Sequence, residues 1–364
     1  MIEKPDVYNS SRELRLALEA VGLPLRRLGP AFGGEEILCA QVGGRRQPAI
    51  VITAGSHSPE VAGVHAAVRL IAELETEHAT YVVATRDPFG FNTFDHCLGV
   101  LLDRPVSVAS HAEAVATLES HGRVIWTEEG FCLAFAGDAA IASMETGAEP
   151  MGHYLVLRRL HELLADQPAL KRILAGRRLL IPAGMPFSEG TGSYGRTYTA
   201  VATRDGLLLS LSQFFGTAEA PPEVACLDSF LQEVRPGLVF DCHEDFGRHF
   251  YLPARRHERD SELANRIIFA MYDAALQSGY PPADYDAFIA RQRGYRPYWP
   301  HYFQPSDRPG LLWVDGSKRG YYALADYALR FGISCPIETG SEGSLAARVE
   351  CQVSAVKAGV AQFE

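Results

Sequence analysis

The chain has 364 residues, 47% hydrophobic and 21% charged, with 34 Lys and Arg against 44 Asp and Glu and a net charge of −10. This is the composition of a globular protein with a sizeable core, and it excludes a disordered or collagen-like chain. The negative balance disfavours tracking along nucleic acid, which needs clustered positive charge.

The longest apolar runs, such as Ala49-Ile50-Val51-Ile52, are far shorter than the ~20 residues that cross a bilayer, and the start, Met1-Ile2-Glu3-Lys4-Pro5-Asp6, lacks a basic region followed by an apolar block. Cys39, Cys97, Cys132, Cys226, Cys242, Cys335 and Cys351 form no Cys-x-x-Cys pair. An odd, dilute set of this kind reads as buried thiols, so the expectation is a cytoplasmic protein with no membrane partner.

In chain order, the pattern predicts a helix over 10–21 ended by Gly22, then strands over 36–42 and 48–53, the second continuously apolar as in a buried parallel sheet. A helix over 61–75 and an apolar strand over 81–84 complete a crossover unit, and Arg86-Asp87-Pro88-Phe89-Gly90 is turn chemistry. Residues 104–178 fit poorly and read as an insertion within a single domain 1–364. It holds a hairpin over 123–135 and a charged helix over 154–175 with Arg158 and Arg159 beside Glu162 and Asp166. Two later strands, over 237–243 and 333–338, matter most, although Pro336 points to an edge or a strand end for the second. A helix over 345–361 closes the chain. The fold class expected is α/β, a mixed, mostly parallel twisted sheet with helices on both faces and an inserted α+β segment.

His57 and Glu60 stand three positions apart, a spacing that lets both reach one ion. The spacing alone is weak, and His257 to Asp260 repeats it without a strand before it. His57 lies just past a buried strand, however, and His243 and Glu338 end the other two apolar runs. Ligands in open α/β sheets bind outside the carboxyl ends of strands, so the three converge there. A catalytic zinc takes three N/O protein ligands and keeps one open position, which His57, Glu60 and His243 would supply. Glu338 is then spare to move protons, and Asp241, two positions before His243, can accept the other ring N–H of a histidine ligand.

The runs Gly55-Ser56-His57-Ser58-Pro59-Glu60, Phe240-Asp241-Cys242-His243-Glu244 and Ile337-Glu338-Thr339-Gly340 resemble the three signature segments of the zinc carboxypeptidase family. The likeness spans about 36–101 and 178–360 and is nearest the succinylglutamate desuccinylase/aspartoacylase-like and bacterial branches. It implies one zinc ion on His57, Glu60 and His243, Glu338 as general base, and a mixed eight-stranded sheet flanked by helices.

Where the family usually has Asp-Leu-Asn-Arg to grip a terminal carboxylate, this chain has Ser210-Leu211-Ser212-Gln213-Phe214-Phe215. Arg196 and Arg204 lie upstream, where the family places an oxyanion-stabilising arginine, and spacing to Ser212 favours Arg204. Arg196, Ser212, Gln213 and Arg248 are the substrate-binding candidates, with Arg255 or Arg256 as further substitutes for the clamp. Tyr295, Tyr298, Trp299, Tyr302, Phe303 and Trp313 either line a pocket or pack a long loop. The expected function is zinc-dependent cleavage of an amide, at a peptide C-terminus or in an N-acyl amino acid. The alternative is a metal-retaining binding protein without turnover, motivated by the unmatched clamp.

Overall fold

The computed structural model describes residues 7–147, 149, 151–184, 192–255, 261–295, 303–315 and 321–364. Four strands open a large sheet: β1 (Leu25–Pro30), β2 (Glu36–Gly43), β3 (Arg46–Ala54) and β4 (His78–Val83). The next six build a second sheet: β5 (Arg123–Glu128), β6 (Phe131–Ala136), β7 (Ala139–Met144), β8 (Arg178–Ala183), β9 (Arg196–Ala202) and β10 (Leu208–Ser210). The chain then returns to the first sheet with β11 (Leu238–Asp245), β12 (Phe250–Arg255), β13 (Phe303–Pro305), β14 (Leu311–Val314) and β15 (Ile333–Gly340).

The large sheet runs β1-β2-β4-β3-β11-β15-β12-β14-β13 and the small one β10-β9-β8-β7-β6-β5. The α/β class holds, with a correction: the sheets are mixed rather than mostly parallel. Only the centre, β4-β3-β11-β15, is continuously parallel. Short connections such as β5 to β6 and β6 to β7 can join only antiparallel neighbours. The described residues place nine strands in the large sheet, against the eight implied by the resemblance. The small sheet draws β5, β6 and β7 from the 104–178 segment and β8, β9 and β10 from the chain after it.

The centre reads as it does because both faces are covered. Every residue of β11 is buried. Leu238, Phe240 and Cys242 on its back pack with the helices Val61–Glu73, Glu262–Gln277 and Leu345–Phe363, whereas Val239 on its front joins a separate cluster with Phe214, Phe215 and Leu231. At Gly63 an added Cβ would meet the Cys242 carbonyl oxygen at 2.8 Å, so glycine lets the first of these helices lie directly on the strand.

The expectation from Pro336 of an edge or a strand end is corrected: β15 lies inside the sheet, between β11 and β12, and Pro336 sits in its middle. Proline is tolerated because β12 pairs only with Glu338 and Thr339, leaving no ladder on that side at Pro336. The helix expected over 154–175 is two, Gly152–Asp166 and Pro168–Leu174, divided at Gln167 by the proline that opens the second. The helices Phe94–Leu102 and His111–His121 were not foreseen; the latter buries only Ala114 and Leu118, too little for a clear apolar stripe. All seven cysteines are free thiols. Among the described residues no helix is long and apolar enough to cross a membrane.

Candidate metal centre

β3 ends at Ala54, and Gly55, at φ 60°, turns the chain out of the sheet. The following loop closes on itself through Glu60 N–H donating to the His57 carbonyl at 3.0 Å, and Glu60 becomes the N-cap residue of the helix Val61–Glu73. His57 and Glu60 therefore face one point. β11, the parallel neighbour of β3, carries His243 one residue beyond the Ala54–Cys242 pair.

The His57, Glu60 and His243 ligand atoms lie within 4.8 Å of one another. His57 Nδ1 is 2.5 Å from Glu60 Oε1, and His243 Nδ1 is 2.9 Å from Glu60 Oε2. Each imidazole turns its other nitrogen away. His57 Nε2 meets Ser210 Oγ at 3.1 Å, and Ser210 in turn meets Ser212 Oγ at 2.7 Å. His243 Nε2 lies 2.9 Å from Asp241 Oδ2, and an ionised carboxylate only accepts, so that nitrogen carries the proton. Nδ1 of His243 therefore faces Glu60 and is the nitrogen left to give up its proton to a bound ion. Two ring nitrogens and a carboxylate, with both imidazoles steadied from behind and the tautomer of His243 set by Asp241, are the donor set of a three-ligand zinc site, and the residues fit such an ion.

Asp241 is itself anchored. Arg86 donates to both of its oxygens at 3.0 and 2.9 Å, and the Thr53 hydroxyl donates to Oδ1 at 2.8 Å. Arg86 reaches it because its backbone N–H bonds the Ala54 and Gly55 carbonyls at the end of β3. The sequence offered this residue only as turn chemistry; its burial, at 4% exposure, was not legible from the turn motif.

Electrostatics follow this geometry. Burial alone would raise the Glu60 carboxyl, but His57 and His243 outweigh it and draw it down to about 2. Burial would lower His243, yet Asp241, Glu60 and Glu338 together hold it well above its ordinary value. Burial likewise opposes ionisation of Asp241, and Arg86 and His243 override it, keeping its pKa below the usual carboxylate range. The pocket is thus organised around negative charge that attracts a cation.

Glu338 is the direct register partner of His243 across β11 and β15, and of Tyr251 across β15 and β12. Neighbouring strands lie ~4.8 Å apart, so the three side chains stand in a row on one face. Gln352, from the last helix, ties the two strands together by donating to the His243 carbonyl at 2.9 Å and to Thr339 Oγ1 at 2.8 Å.

These residues open onto a cleft of about 230 Å³. Ser212 and Gln213 line it, together with Ser210 and the rings of Tyr198, Tyr251 and Phe303. The helix Gly152–Asp166 adds Tyr154, Leu157 and His161. The arginine expectations fare differently. Arg204 is exposed on the turn between β9 and β10 and does not line the cleft. Arg196 is 1% exposed, with its guanidinium spent on the Asn9, Gly195 and Tyr8 carbonyls and stacked 4.6 Å from the Phe91 ring centre; it fastens the N-terminal segment. Arg248 is exposed outside the cleft lining. Arg255 does line it, near the Asp326 carboxylate at 2.8 Å. Spacing along the sequence favoured arginines near the absent clamp, whereas Arg255 arrives on β12, from the other side of Glu338. Of the aromatic group, Phe303 lines the cleft, Tyr295 packs 5.1 Å from Phe246, and Trp313 packs against the main core. Tyr298, Trp299, Tyr302, Arg256 and His257 lie outside the described residues.

The fold is shared with a candidate metallopeptidase from Shewanella baltica OS155, at a TM-score of 0.51 and 13% identity over 97% of this chain and 92% of that one. A second, from Shewanella denitrificans OS217, matches with a TM-score of 0.50 and 12% identity over 99% and 98% of the two chains. No family model and no curated protein sequence matches the chain.

Proposed function

We propose that this chain, built on the fold of these candidate metallopeptidases, is a zinc-dependent hydrolase of amide bonds with metallocarboxypeptidase-like chemistry. The observation that carries the reading is the convergence of one ligand atom each from His57, Glu60 and His243 within 4.8 Å, beside Glu338 on the adjoining strand. When bound, zinc supplies Lewis acidity that polarises a carbonyl and acidifies water. Glu338 takes the proton from the attacking water and returns it to the leaving nitrogen. Ser210 and Asp241 keep the two imidazoles oriented, and Arg86 keeps Asp241 ionised.

The substrate is small, because the cleft is about 230 Å³ and one wall is the helix Gly152–Asp166. Arg255 meets its carboxylate in place of the missing clamp, whether the substrate is a short peptide or an N-acyl amino acid. Apolar walls at Leu157, Leu208 and Phe303 accept an uncharged side chain or acyl group.

Purified protein should hold stoichiometric zinc and cleave members of a panel of N-acyl amino acids and short peptides. Replacing Glu338 by Gln should lower kcat by roughly 10²–10⁴-fold while zinc stays bound. Full activity in that variant would overturn the mechanism. Stoichiometric zinc with no hydrolysis of any panel member would instead favour the non-catalytic binding reading, for which the uncharged run Ser210–Gln213 is the motive.

A further inference from the structure

A second cavity, of about 700 Å³, shares no lining residue with the metal cleft. Arg123, Arg172, Arg177 and Arg178 line it around Phe135, with Asp138 and Glu219 as its carboxylates. Arg123 opens β5 and is the direct cross-strand partner of Phe135 on β6. Arg172 belongs to the last turn of the helix Pro168–Leu174, and Arg177 precedes β8. The guanidinium carbons of Arg123 and Arg177 lie 4.9 and 4.5 Å from the centre of the Phe135 ring. One aromatic ring thus takes two like charges within 4.9 Å of its centre.

What those charges bond to is informative. Buried Arg178 is neutralised by Glu223 at 2.7 Å. Arg177 donates its Nε to the Ile173 carbonyl at 3.0 Å and a terminal nitrogen to the Asp138 carbonyl at 3.2 Å, both uncharged acceptors. Among the described residues no carboxylate pairs with Arg123, Arg172 or Arg177. Glu219 accepts instead from the Arg204 backbone N–H at 3.3 Å. An adjoining cavity shares Arg123 and Arg177 and adds His121, whose Nδ1 meets Arg104 at 2.9 Å. In a chain with 44 acidic residues against 34 basic ones, carboxylates were available to compensate this cluster and do not. Like charges gathered around one ring repel each other, and a bound anion would offset that repulsion. Guanidinium groups with fixed planes bind phosphoryl oxygens in pairs.

We propose that this cavity binds a compact polyanion through Arg123, Arg172 and Arg177, and that the polyanion is a phosphorylated small molecule. A polycarboxylate offers the same charge, so the test separates the two. Full-length protein and an R123Q/R172Q variant are titrated calorimetrically with inorganic pyrophosphate at low ionic strength, and in parallel with citrate. Both substituted positions are exposed, and circular dichroism checks that the variant is folded. The expected result is one saturable pyrophosphate site weakened at least tenfold in the variant, in line with losing charge-assisted contacts. Absence of saturable binding, or binding that survives unchanged in the variant and therefore belongs to the metal centre, would overturn the site. Citrate binding as tightly as pyrophosphate, with the same loss in the variant, would overturn the phosphate assignment.

Discussion

Both faces of β11 carry buried carboxylates and put them to different use. On the front, Asp241 receives Arg86 and steadies His243 at the metal centre. On the back, Glu244 pairs with Arg348, both side chains wholly buried, and accepts the Ala62 backbone N–H at 2.7 Å. Ala62 is the second residue of the helix that begins after Glu60, so the back face caps the element whose N-cap supplies a ligand. Two ion pairs of the same chemistry, three residues apart, thus separate into one that tunes a histidine and one that holds a helix in place.

That division can be broken most severely from the back. Burial pushes the Glu244 carboxyl well above its ordinary pKa, while the contact with Arg348 holds it in the core; replacing Arg348 by Met removes that partner, and breaking a buried pair of this kind costs about 3–5 kcal/mol. Urea unfolding should show that loss, with zinc affinity of the folded protein little changed. A loss of zinc affinity as large as that of an Asp241 variant would mean the two faces do not divide their roles.

A third buried carboxylate sharpens the contrast through pH. Asp87 accepts from the Thr199 hydroxyl at 2.6 Å and the Gly90 N–H at 3.0 Å, joining the turn after β4 to the small sheet. Burial raises its pKa to about 6, against the opposing pull of Arg178. A carboxyl whose folded pKa exceeds its unfolded one contributes stability fully present below about pH 4 and lost as pH rises through about 6. Relative to an Asp87→Asn variant, the wild type should therefore lose about 3 kcal/mol between pH 4 and pH 7. A gap that instead grew toward neutral pH would show that attraction to Arg178 governs this group.

The smallest effect belongs to the front face. Asp241→Ala should weaken zinc binding by about 10–100-fold, as removal of a histidine's hydrogen-bond acceptor commonly does. A chelator competition assay measures it, and unchanged affinity would remove Asp241 from the centre.

Much of this arrangement was legible beforehand. The apolar runs of β3, β11 and β15 predicted a buried sheet centre, and the polar residues at their ends predicted a meeting point, because strand direction alone carries a side chain to that edge. The helices Val61–Glu73 and Leu345–Phe363 followed from periodicity. Sheet-edge pairing did not, since antiparallel neighbours are set by loop geometry that short apolar strands do not encode. The arginines were the least legible. A guanidinium reaches many positions from its Cα, so Arg204 and Arg196 looked well placed by spacing while Arg86 and Arg255 hold the positions that face the site. The cation partner of a histidine's carboxylate is a tertiary fact.

The central claim is that two imidazoles and one carboxylate hold a single divalent cation. Zinc titration against a chromogenic chelator, run on the wild type beside H57A, E60Q and H243A, tests it most directly. The wild type should hold one equivalent of zinc tightly, and each variant should lose it with the fold retained. One equivalent kept at undiminished affinity in folded H57A and H243A would contradict it.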